Sequence, residues 1–214
     1  MVVMDGAEQR KKARPFGQRL QEREDEARGY LDTRIGARVI SVVVGDCVVS
    51  SEPDVVITTT LGSCVATCLF DPEAGIGGMN HFLLADSADD RLSASARYGG
   101  AAMEQLINRM LGRTGRRDRL RAKVFGGGAI NGFNSSVGNN NVEFVMSYLA
   151  YEGIPTISWD VGGTQARGVR FFPVGGRSQR RLLGSAGTKD VMQSETSFAA
   201  KLRTTKIEGD IELF

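Results

Sequence analysis

The chain has 214 residues, 41% hydrophobic and 24% charged, with a net charge of +2. That is enough for one domain with its own core plus an extension, and so even a charge balance singles out no nucleic-acid or other strongly charged partner. No run approaches the roughly 20 consecutive apolar residues that span a bilayer, and the opening MVVMDGAEQRKKARPFGQR lacks the apolar stretch and cleavage site of a secretory signal. A cytoplasmic location without membrane insertion is therefore expected.

Residues 1–29 are charge-rich with little to bury and read as a flexible extension; residues 30–214 have the composition of a packed domain. ARVISVVVGDCVVS, DVVITTTLG and SCVATCLFD are rich in Val, Ile and Thr and read as strands. They are punctuated by the turn signals Gly45-Asp46, Pro53-Asp54 and Asp71-Pro72. IGGMNHFLLA reads as a further strand with a glycine-permitted bend. SASARYGGAAMEQLINRMLG then places Met103, Leu106, Ile107, Met110 and Leu111 on one helical face. Ser93 or Ser95 is expected as its cap and Gly112 as its stop. RAKVFGGGAI reads as a strand entering a glycine loop. NNNVEFVMSYLAYEG reads as a second helix, capped by Asn141 and stopped by Gly153. IPTISWDVGG, ARGVRFFPVGG and SQRRLLG are strands again. This order predicts an α+β layered domain rather than a doubly wound sheet.

Cys47, Cys64 and Cys68 are too few, and odd in number, for a disulfide framework; Cys47, in an apolar run, is expected to be a small buried hydrophobe. His81 is the chain's one histidine. A thiol nucleophile needs a neighbour to take its proton, so any Cys–His chemistry here must use His81. If the segments around Cys64 and His81 pair as a hairpin across the Asp71–Gly75 turn, the two side chains meet on one face. The alternative is a buried structural thiol and an unrelated histidine. A metal site made of Cys64, Cys68 and His81 lacks the fourth ligand and paired knuckles of structural zinc. VFGGGAING and VGGTQARG match no nucleotide-binding fingerprint and read as loops lining a cleft. The basic run GRTGRRDRLRAK reads as a solvated loop or a docking patch for an acidic surface.

TTTLGSCVATCLFDPEAGIGGMNHFLLADS, YGGAAMEQLINRML, LRAKVFGGGAI, VGNNNVEFVMSYLAYEGI, DVGGTQARGVRFFPVGG and GDIELF together resemble the CheD family of chemoreceptor glutamine deamidases. The resemblance runs from about Gly45 to Phe214. It implies an α+β layered domain with mixed β-sheets flanked by helices, and a cysteine hydrolase that needs no cofactor and no metal. The motif matches put the nucleophile on Cys64 (LGSC), the base on His81 (GGMNH) and an orienting threonine on Thr58, with Thr59 and Thr60 adjoining. Gly62 and Ser63, with Cys64, belong to the loop whose backbone N–H groups are expected to stabilise an oxyanion. The implied substrates are methyl-accepting chemotaxis receptors, and a CheC-like phosphatase is an implied partner. Two alternatives remain: a regulatory binding protein for that phosphatase, and a thiol hydrolase acting on receptor methyl esters.

Overall fold

The β-branched segments assemble into two five-stranded sheets. The computed structural model describes residues 29–84, 91–130 and 135–204; the terminal GDIELF and nearly all of the 1–29 extension lie outside these. Six strands come first, β1 (Tyr30–Asp32), β2 (Ala37–Ser41), β3 (Cys47–Ser50), β4 (Val55–Leu61), β5 (Val65–Asp71) and β6 (Ile76–Phe82). Helix α1 (Arg91–Thr114), strand β7 (Arg121–Gly126) and helix α2 (Ser135–Tyr151) follow. Strands β8 (Thr156–Val161), β9 (Arg167–Phe172) and β10 (Arg177–Leu182) lead into helix α3 (Ser185–Thr204). One sheet has the order β1-β2-β4-β9-β10, the other β3-β6-β5-β7-β8. Each is antiparallel except for one parallel pair, β2 with β4 and β7 with β8.

The molecule is three layers deep. One core lies between the sheets, where Ile40, Ile57, Leu61, Met79 and Phe171 meet Cys64 and Cys68. A second lies between the other face of the β5–β6 sheet and the helices, where Leu69, Phe82 and Val124 meet Met103, Leu106 and Leu149. With both faces covered, β5 and β6 are buried along their whole length. This is the expected α+β layered arrangement of mixed sheets flanked by helices.

Several local expectations need correction. The run ARVISVVVGDCVVS turns at Gly45, φ +92°, as its Gly45-Asp46 signal implies, but the strands on either side join different sheets. Gly77 and Gly78 do not bend β6. A Cβ on Gly77 would lie 2.7 Å from Pro173 O, and one on Gly78 2.7 Å from Val48 O, so these glycines let neighbouring backbone approach. Helix α1 already includes Ser93 and Ser95 and runs through Gly112. It stops at Gly115, whose φ of +65° turns the chain while its N–H donates to Leu111 O. Asn141 lies inside α2, not at its start. The basic run is stitched down by ion pairs: Arg119 reaches the fully buried Asp71 at 2.8 Å, and Arg117 pairs with Glu152. Helix α3 has no counterpart among the elements expected from the sequence.

Candidate active site

Strand β4 belongs to one sheet and β5 to the other, and Gly62-Ser63-Cys64 carries the chain between them. Cys64 thus sits at the crossing point, wholly buried. The β5–β6 hairpin across the Asp71–Gly75 turn forms as expected and sets Ala66 opposite His81. Ala66 lies two residues beyond Cys64 and so shares its face. Ligand atoms of Cys64, His81 and a third residue, Glu195, all lie within 4.8 Å of one another.

His81 is held from the other sheet. Thr59 on β4 donates its hydroxyl proton to Val42 O at 2.7 Å. A hydroxyl has one proton to give, so its 2.9 Å contact with His81 Nδ1 runs the other way, with the ring N–H donating to Thr59 Oγ1. The network therefore assigns the proton to Nδ1 and leaves Nε2 as the ring's acceptor. Nε2 is buried and has no hydrogen-bond partner among the described residues. The expectation at Thr58 is corrected by these contacts. Ile57, Thr59 and Leu61 face the inter-sheet core, while Thr58 turns to the other face, where its hydroxyl meets Ser41 Oγ at 3.3 Å. A one-residue step along a strand changes the face. A hollow of about 650 Å³ on that outer face is lined by Thr58, Arg170 and Arg181; Cys64 does not border it.

The Gly62–Cys64 loop presents three N–H groups to one carboxylate. Glu195, on α3, accepts from Gly62 N–H at 2.8 Å and Cys64 N–H at 3.1 Å through Oε1. Its Oε2 accepts from Ser63 N–H at 2.9 Å and Ser63 Oγ–H at 2.7 Å. Glycine at position 62 lets Ile130 and Glu195 close in: a Cβ there would lie 2.3 Å from Ile130 Cδ1 and 3.0 Å from Glu195 Oε2. The glycine loop after β7 braces the crossing: Gly127 N–H donates to Cys64 O at 2.8 Å and Gly128 N–H to Gly62 O at 2.6 Å. This loop does line the site, as its sequence suggests. Asn141 adds a pin from α2, donating to Ser63 O at 3.0 Å and accepting from Leu84 N–H at 2.7 Å.

Burial sets the resting protonation. It pushes the Cys64 thiol well above its usual range, and the nearby Glu195 carboxylate pushes it further. It pushes His81 down, with Glu195 partly opposing. The pair at rest is a neutral thiol beside a neutral imidazole. Cys68 is also driven up by burial and stands in the inter-sheet core. The described donors that approach one another are Cys64, His81 and Glu195, without Cys68. Both Glu195 oxygens already accept two hydrogen bonds each, the arrangement of an anion held by donors.

Sequence reasoning names Thr59 only as a neighbour of Thr58, and misses Asn141 as a pin and Glu195 altogether. Two of these carry a readable pattern. Thr59 keeps the two-residue period of Ile57 and Leu61, and Val191, Glu195 and Phe198 keep helical spacing.

A family model described as CheD chemotactic sensory transduction matches residues 83–181. A protein of Caulobacter sp. strain K31, named probable chemoreceptor glutamine deamidase CheD, is 47% identical over 176 residues, 82% of this chain and 92% of that one. A protein of the same name from Caulobacter vibrioides strain NA1000 is 50% identical over 176 residues, with the same coverage of each chain. The solved structure of Bacillus licheniformis hypothetical protein YfiH overlaps 67% of this chain and 69% of its own, at a TM-score of 0.37 and 14% identity, too distant to inform the site.

Proposed function

The chain belongs to the CheD family of chemoreceptor glutamine deamidases, and from that membership we propose how Cys64, His81 and Thr59 carry out the reaction. The observation that supports this reading most is the buried series Cys64–His81–Thr59–Val42 O, ending beside a loop of convergent N–H groups. His81 Nε2 takes the Cys64 proton, and the thiolate attacks the side-chain carboxamide carbon of a receptor glutamine. Negative charge moves to the carboxamide oxygen, in the place now held by Glu195 Oε1, between the N–H groups of Gly62 and Cys64. One such donor is worth about 3 kcal/mol in a mutational test. His81 returns the proton to the leaving ammonia and a thioester remains. Water activated by His81 then releases glutamate and the free thiol. Thr59 holds the ring in the tautomer this requires, the third-member role of hydrolase triads.

The substrates are the cytoplasmic helices of methyl-accepting receptors, which places the enzyme in the cytoplasm. None of the described helices is long and apolar enough to cross a membrane. The domain spans residues 30–214 with a charged extension before it, and a CheC-like phosphatase is a further partner. Mass spectrometry of a receptor cytoplasmic fragment tests the reaction. The wild-type chain is expected to add about one dalton per converted glutamine and to release ammonia rather than methanol, and Cys64→Ala to do neither. A mass gain that survives Cys64→Ala would remove the nucleophile from this scheme.

A further inference from the structure

Beside Cys64 and His81, the proposed mechanism leaves a buried carboxylate unused. Glu195 is 6% exposed, lies more than 130 positions from the loop that binds it, and fills that loop's hydrogen-bonding capacity. Its carboxylate occupies the N–H groups that the carboxamide oxygen needs. A substrate glutamine and Glu195 cannot both be there.

The chemistry of the occupant is specific. Deamidation turns a glutamine side chain into a glutamate side chain, and a glutamate side chain is what the loop holds. It arrives from a helix, as a receptor side chain would. Helix α3 is seated on both sides of it. Four residues earlier, Val191 packs with Ile130 and Ala166 in a small cluster of its own. Three residues later, Phe198 lies against Tyr98, with ring centroids 6.4 Å apart, and beside Gly45. Among the described residues, α3 has one buried apolar side chain, Val191, and lays only the half-buried Phe198 and Ala199 against the core between the sheets, so α3 is the lightly held element around the site.

We propose that α3 is a built-in product analogue: Glu195 stands where the side chain of a converted glutamine stands, and α3 must leave before a receptor helix can enter. This rests on the deamidase reading given above. The resting chain is closed over its own nucleophile, and whatever displaces α3, receptor or regulator, turns the enzyme on.

Two measurements on the full-length chain test this, and the first needs no substrate. Iodoacetamide alkylation of Cys64 under native conditions, mapped by peptide mass, is slow in the wild type because the sulfur is covered. In Glu195→Ala it is expected to rise at least roughly tenfold. The same rise is expected in Val191→Ala/Phe198→Ala, which loosens the helix and leaves Glu195 in place. Unchanged alkylation in whichever of these variants keeps the wild-type circular dichroism would overturn the closure. The second uses Glu195→Gln, which puts a substrate side chain in the product's position. The peptide holding the introduced glutamine is expected to gain about one dalton, or to be trapped on Cys64 as a thioester with loss of ammonia, and to do neither when Cys64→Ala is added. If the introduced glutamine persists while the same protein converts receptor glutamines, Glu195 is not at the product position and the analogue is refuted. If alkylation rises but neither the introduced glutamine nor any receptor glutamine is converted, the deamidase reading fails and the closure stands.

Discussion

A single threonine hydroxyl decides which nitrogen of His81 can act as a base. Thr59 has one proton, it goes to Val42 O, and Nδ1 must therefore be the donor in the next bond. Thr59→Val removes the 2.9 Å acceptor and leaves the buried Nδ1–H only its longer contact with Val42 O at 3.4 Å, a loss of about 1–3 kcal/mol. A loss of that size in the transition state lowers deamidation roughly tenfold to a hundredfold. Thr58→Val, on the other face, is expected to stay within about twofold. Initial rates of ammonia release on a receptor fragment check both, and equal losses would mean that the alternation of β4 is not what selects the orienting residue. Most of this is legible in the sequence. The motifs and the lone histidine lead to Cys64 and His81, and the apolar positions Ile57 and Leu61 imply that Thr59 shares their face.

At the scale of elements, the crossing from β4 to β5 is shaped by its neighbours more than by its own residues. Gly126 closes β7 at φ +112°, and a Cβ there would lie 2.1 Å from Cys64 O. Gly126→Ala must move either that carbonyl or its own backbone. It is expected to cost about 1–3 kcal/mol in urea unfolding and to lower turnover by displacing Cys64. Loss of stability with unchanged kcat would show that the crossing tolerates the shift. Sequence patterning finds the strands other than the three-residue β1, the first two helices and the glycine loop, because each has a period or composition of its own. It does not find which sheet each strand joins, since ARVISVVVGDCVVS reads as one kind of material and only pairing assigns Ala37–Ser41 and Cys47–Ser50 to different sheets. It places the stop of α1 at Gly112 because an exposed glycine in the last turn looks the same in sequence as one that ends the helix. Asn141 resembles a cap because asparagine favours helix starts; only the fold brings Ser63 and Leu84 within its reach.

Across the whole molecule, the site is a joint between layers. Thr59 comes from one sheet and His81 from the other, so their 2.9 Å contact depends on how the sheets sit together. Ile57 lies in that inter-sheet core, whereas Leu106 lies between the other sheet and the helices. Ile57→Ala and Leu106→Ala should each cost about 2–5 kcal/mol in stability. At a temperature where both remain folded, only Ile57→Ala is expected to lower kcat markedly, because only it loosens the layer that the Thr59–His81 contact crosses. Equal activity in the two variants would detach the site from sandwich packing. Burial at the joint has a consequence for the chemistry of sulfur with oxidants. Peroxide attacks a thiolate that it can reach, and Cys64 at rest is both protonated and out of reach, while Cys47 and Cys68 are buried as well. A cell under oxidative stress would therefore spare the idle molecules and inactivate those caught at work, so that damage to the pool of this protein records how much of it was engaged.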